Sequence, residues 1–169
     1  RRWISIADTA ITTGREWPMG GRIPVFDLKR QTESIRGELD EAIGRVLSSG
    51  WYVLGEEVTA FEREFAEWVG VEHCVSVGNG TDAIVVALRA LGVQPGDEVI
   101  TVPNTAVATV AAIELAGARP VLVDVRSDTQ LMDISLVEQA ISLRTKAIVP
   151  VHLFGQAVDL DPLIALAQT

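Results

Sequence analysis

The sequence predicts an α/β fold: a three-layer sandwich with a mainly parallel sheet covered by helices on both faces. Three observations carry this. From His73 onward short β-rich runs alternate with helix-length segments, the pattern of βαβ units. Turn punctuation, Pro95-Gly96-Asp97 and Gly117 to Pro120, separates them. A composition of 48% hydrophobic and 22% charged residues is that of a globular chain able to bury a core.

Each element has a local reason. Ile35, Leu39, Ile43, Val46 and Leu47 recur at helical spacing, and Ser48-Ser49-Gly50 ends that helix. A second stripe, Val58, Phe61, Phe65, Trp68 and Val69, predicts another amphipathic helix capped by Gly70. Strands are then expected over His73–Val77, Glu98–Val102, Pro120–Asp124 and Lys146–Val151. The helices between them are expected over Thr81–Leu91, Thr105–Ala116 and Ser135–Ile141. Asp159-Leu160-Asp161-Pro162 reads as the start of a last helix.

With 14 Lys plus Arg against 23 Asp plus Glu, the net charge is −9. That argues against nucleic acid as a partner, since such binding needs clustered positive charge. The charge-free stretch Val99–Ile113 is too short for a bilayer span and carries Pro103 and Asn104, so no membrane partner is expected. Arg1 to Arg22 lacks an apolar signal core and is expected to be an irregular extension. The single cysteine, Cys74, cannot close an internal disulfide, which fits a cytoplasmic location. Two histidines and one cysteine, widely scattered, predict no metal site. The chain opens on Arg1 and stops within the helix-like run Leu163–Ala167, so a longer protein is expected, truncated here at the C-terminus.

Open parallel sheets bind ligands beyond the carboxyl ends of their strands. The strongest signal there is Gly78-Asn79-Gly80-Thr81-Asp82-Ala83, between a predicted strand and a helix. Its glycines and free helix-start amides suit an anion such as phosphate. Equally, the segment serves as a tight turn capped by Thr81 or Asp82. It also matches G-x-G-x-x-A. However, a dinucleotide fold needs an acid after the second strand, where Asn104 stands, and Asp97 and Glu98 lie at the wrong end. Asp124 either binds a ligand or caps a turn. His152 is either structural or catalytic, and Trp51 and Tyr52 either line a pocket or pack.

Eight pieces in order resemble the start of the DegT/StrS-type sugar-nucleotide aminotransferases. They include Ile23-Pro24-Val25-Phe26-Asp27-Leu28, Ser49-Gly50-Trp51-Tyr52-Val53-Leu54-Gly55, Gly80-Thr81-Asp82-Ala83, Pro95-Gly96-Asp97-Glu98 and Val151-His152-Leu153-Phe154-Gly155-Gln156. The resemblance implies that residues 23–169 are the N-terminal part of the large domain of a fold-type-I enzyme dependent on pyridoxal 5′-phosphate. It implies a phosphate held by the amides of Gly80 and Thr81, and a homodimer with Trp51 and Tyr52 near the substrate or the interface. The substrates it implies are a nucleotide-linked keto sugar and an amino donor such as glutamate.

In this family an aromatic residue follows the threonine matched by Thr105 and stacks on the pyridine ring. Here Ala106 stands in that place, so stacking carries over to no residue. The Schiff-base lysine and the acid beside the pyridine nitrogen are expected beyond Thr169. Lys29 and Lys146, the only lysines present, stand in neither role. No catalytic residue is therefore assigned, and the 169-residue piece alone is expected to be inactive. Two other readings stay open: a sugar dehydratase of the same family, with histidine replacing the lysine, and a cofactor-free module or pseudoenzyme that binds a phosphate-bearing ligand.

Overall fold

The computed structural model describes residues 27–168, which fall into two units, divided between Glu72 and His73. The predicted extension 1–22 and the first four residues of the Ile23–Leu28 piece lie outside the described residues.

The first unit is helical. Asp27 caps α1 (Leu28–Ser34) by accepting from the Arg30 amide at 3.0 Å. The chain turns at Ile35 into α2 (Arg36–Ser49), which ends at Gly50 as expected. α3 (Glu56–Val69) ends at Gly70, whose φ of 81° is the left-handed conformation that closes a helix. The Gly70 and Val71 amides both return to the Ala66 carbonyl. Arg45 of α2 and Glu57 of α3 pair at 2.6 Å. The predicted stripe is real but not enclosed: of α3 only Ala66 is buried, while Phe61, Phe65 and Trp68 stay 43–67% exposed. Phe61 and Phe65 stack with centroids 5.5 Å apart, and Trp68 lies 5.7 Å from Phe65.

The second unit is the α/β part. In chain order it contains α4 (Gly80–Ala90), β1 (Glu98–Thr101), α5 (Val107–Leu115), β2 (Arg119–Leu122), α6 (Ile134–Ala140), β3 (Thr145–Ile148), a 3₁₀ turn (Leu153–Gly155) and α7 (Leu160–Ala167). The sheet has order β2-β1-β3, with both pairings parallel. Glu98 registers with Arg119 and Thr101 with Leu122. On the other side Glu98 pairs with Thr145 but Val99 with Ala147, so Lys146 is the extra residue of a bulge.

Three layers follow from β1, whose residues are all buried. Successive strand side chains point to opposite faces. Ile100 and Val102 pack with Val137 of α6, Leu163 of α7, Met132 and Val158. Val99 packs on the other face with Leu88 of α4, Ile113 of α5, Val93 and Ala118. At roughly 1.5–3 kcal/mol for each large apolar side chain fully buried, these two clusters are the main favourable contribution to the fold.

One expected strand is not formed: residues 73–77 lie outside the sheet. A β-rich run becomes a strand only through ladder partners, and among the described residues all strand pairing runs through β1, β2 and β3. Among the described residues no helix is long and apolar enough to cross a membrane, and no group of three His, Cys, Asp or Glu could hold a metal.

Candidate functional site

α5 leaves the carboxyl end of β1 and returns the chain to the amino end of β2, so its own start lies at the carboxyl edge of the sheet. α4 packs along α5, and at their far ends the Arg89 guanidinium donates to the Leu115 carbonyl at 3.1 Å. The two helices therefore run parallel, and Gly80 and Thr81 at the start of α4 stand at the same carboxyl edge.

The cap is Asn79, not Thr81 or Asp82 as the turn reading had it. Asn79 Oδ1 accepts from the Asp82 amide at 2.9 Å, and its Nδ2 donates to Asp82 Oδ2 at 2.8 Å. The Asn79 carbonyl takes the Ala83 amide at 3.1 Å. The first amides of a helix have no intrahelical acceptor, and those of Gly80 and Thr81 are the two this cap leaves for another group. A Cβ at Gly80 would meet no heavy atom within 4 Å, so space is open there. Two outward amides, a helix dipole and an uncrowded glycine fit a phosphate group.

The strand ends beside this site are tied down. Thr101 Oγ1 donates to the Val149 carbonyl at 2.9 Å, the Val149 amide returns to Ile100, and the Val123 amide to Thr101. The Thr105 and Thr109 hydroxyls share a 2.8 Å hydrogen bond at the entry to α5. The connection out of β1 leaves for the face covered by α4 and α5. Those out of β2 and β3 leave for the face covered by α6 and α7. Neighbouring carboxyl ends diverge in this way at a topological switch point, the place where open parallel sheets bind ligands.

The other candidates make local contacts. His152 Nδ1 accepts from the Val158 amide at 3.0 Å and so pins the loop after β3. Asp124 accepts from the Val125 amide at 2.7 Å and shapes a turn. Trp51 and Tyr52 belong to the first unit and are both about two-thirds exposed. With Arg45, Gly55 and Glu57 they line an open hollow of about 170 Å³. Trp51 Nε1 donates to the Val53 carbonyl at 2.6 Å, and a Cβ at Gly55 would stand 3.0 Å from the Trp51 carbonyl oxygen, so a larger residue there would crowd the loop. Lys29 pairs with Glu33 on α1, and Lys146 sits in the bulge at the entering edge of the sheet.

Sequence reasoning missed the charged cluster at that entering edge. Glu98, almost wholly buried, accepts from Ser142, Arg119 and Arg144 at 2.6–2.9 Å. These bonds, Ser142's foremost, hold its carboxyl down at about 2. The available signal was an acid opening an apolar strand, with arginines opening or preceding the next two.

Fold and topology together define an α/β domain with a helix start at the switch point of a parallel sheet. The chain belongs to the DegT/DnrJ/EryC1/StrS aminotransferase family, whose model matches residues 33–169. It is 53% identical over 143 residues to dTDP-3-amino-3,4,6-trideoxy-alpha-D-glucose transaminase of Micromonospora megalomicea subsp. nigra, covering 85% of this chain and 38% of that one. Among solved structures it resembles S. venezuelae DesV in complex with a ketimine intermediate, at 48% identity and a TM-score of 0.85, over 87% of this chain and 40% of that one. It also resembles NtdA of Bacillus subtilis with bound cofactor PMP, at 31% identity and a TM-score of 0.84, over 92% of this chain and 35% of that one. The chain thus spans about two fifths of the curated relatives it matches, and its fold is that of the fold-type-I aminotransferases.

Proposed function

We propose that the complete protein is a pyridoxal-phosphate-dependent aminotransferase that moves an amino group from a donor such as glutamate to a nucleotide-linked keto sugar. Residues 23–169 form the N-terminal part of its cofactor-binding large domain, and the enzyme works as a cytoplasmic homodimer. One observation in this chain carries the reading: two uncommitted amides, Gly80 and Thr81, at an open helix start on the carboxyl edge of the sheet. The named relatives, one a dTDP-sugar transaminase and one holding PMP, support the reaction class.

When bound, the cofactor supplies an electron sink for moving the amino group. This chain's residues anchor it. The Gly80 and Thr81 amides donate to the phosphate, and the Thr81 hydroxyl adds a third donor. Asn79 holds the first turn of α4 in register and ties back the Asp82 carboxylate. The protein's net charge of −9 would repel an anion at long range, so affinity depends on these short, directed donors.

The test is Gly80→Val in the complete protein, titrated with inorganic phosphate and with pyridoxamine phosphate. The added side chain enters open space and should leave the unfolding midpoint close to that of the parent. Affinity for both ligands should fall at least about tenfold, as expected for losing a charge-assisted hydrogen bond. Parental affinity for pyridoxamine phosphate in this variant would end the proposal.

A further inference from the structure

The loop between β3 and α7 is closed by an imidazole. His152 Nδ1 accepts from the Val158 amide at 3.0 Å, six residues on, and Val158 is only 5% exposed. The loop's backbone adds a long bond, from the Gln156 amide to the Leu153 carbonyl at 3.4 Å. Within this span Phe154 and Gly155 stand in succession at φ 60° and φ 78°, a left-handed region that a bulky residue enters only where its surroundings hold it. A strained turn is therefore held behind one side-chain hydrogen bond.

That bond needs a particular protonation state. A backbone amide can only donate, so Nδ1 must offer its lone pair and the ring's proton sits on Nε2. A proton on Nδ1 and this hydrogen bond exclude each other. Histidine is the side chain whose charge ordinarily changes between about pH 5 and 8. Among the described residues His152 forms no ion pair that would hold it in one state. The charged groups on the elements packed around this loop are engaged locally or face solvent. Asp124 accepts from the Val125 amide, Arg126 pairs with Asp128, and Asp133 and Asp159 cap α6 and α7. Glu138 of α6 and Asp161 of α7 are exposed. Glu98, Arg119, Arg144 and Lys146 lie at the opposite, entering edge of the sheet.

We propose that His152 is a proton-operated latch. Neutral, it holds the 152–158 loop closed; protonated, it releases the Val158 amide and lets Phe154 and Gly155 relax. The loop leaves the carboxyl end of β3, the end at which open parallel sheets take ligands, so the latch couples the order of that edge to pH. The inference is independent of which ligand the domain binds.

The experiment follows hydrogen exchange of the Val158 amide in the complete protein at about pH 8 and about pH 5, each rate divided by the intrinsic rate at that pH. The lower pH stays above the loss of stability set by Glu98, and the β1 amides serve as the reference for global opening. Protection at Val158 relative to β1 should fall by about tenfold from the higher pH to the lower, the scale of one lost hydrogen bond. His152→Asn puts an acceptor that does not titrate in place of Nδ1, and its protection should be the same at both pH values. His152→Ala should be equally unprotected at both. Equal protection of the parent at the two pH values overturns the proposal, as does a pH dependence that survives in either variant.

Discussion

Arg119 and Glu98 are register partners in the two parallel strands β2 and β1, and their side chains repeat the pairing with a 2.6 Å ion pair. Arg144, just before β3, reaches the same carboxylate at 2.8 Å, so one buried acid ties all three strands at their entering edge. Removing it leaves two guanidinium groups facing each other. Glu98→Gln should lower the midpoint of urea unfolding more than Arg119→Ala or Arg144→Ala. Each arginine is about two-thirds exposed, and the other remains when one is lost. Equal midpoints for all three variants would show that the cluster does not act through Glu98.

The same carboxyl sets a pH dependence. Its folded value of about 2 lies below the ordinary 4.5, so its stabilisation is complete above about 4.5. Below that the unfolded chain takes up a proton that the folded protein refuses, and stability falls as pH drops from about 4.5 toward 2. Glu57 and Asp128, lowered by Arg45 and Arg126, act in the same direction. Denaturation curves across this range should therefore be steeper for the parent than for Glu98→Gln, with a residual slope in the variant.

Asn79→Ala removes the cap of α4 and should cost about 1 kcal/mol of stability in chemical denaturation. It also frees the Asp82 carboxylate beside the Gly80 and Thr81 amides, so phosphate affinity should fall along with stability. Asn79→Asp keeps the cap but adds charge. Its second oxygen faces the Asp82 carboxylate, so it should recover only part of the stability and none of the phosphate binding.

Borohydride reduction of the complete protein loaded with pyridoxal phosphate, followed by peptide mapping, should leave Lys29 and Lys146 unlabelled. Lys146 projects from the bulge at the sheet edge opposite Gly80, and Lys29 is an exposed partner of Glu33 on α1. A stable adduct on Lys146 would move the chemistry to the other end of the sheet, and one on Lys29 would move it to the first unit.

The elements that were legible beforehand are those whose cause is local. Helical spacing of Val58, Phe61 and Phe65 marked α3, Gly70 marked its end, and Asp159 opened α7 by accepting from the Asp161 amide. The start of α4 was visible too, because glycines and a helix beginning are written in adjacent residues. The rest depended on partners far along the chain. His73–Val77 has strand chemistry yet joins no ladder, since pairing requires a neighbour in space. Val99 and Ile100 are both apolar, and only the placing of α5 and α7 sends one to each core. Glu98 read as an acid at the wrong end of a strand until Arg119 and Arg144, 21 and 46 residues on, folded back onto it. Phe154 likewise looked like one more apolar residue after a strand, because neither its exposure nor its backbone angle exists before the loop is pinned to the core through Val158.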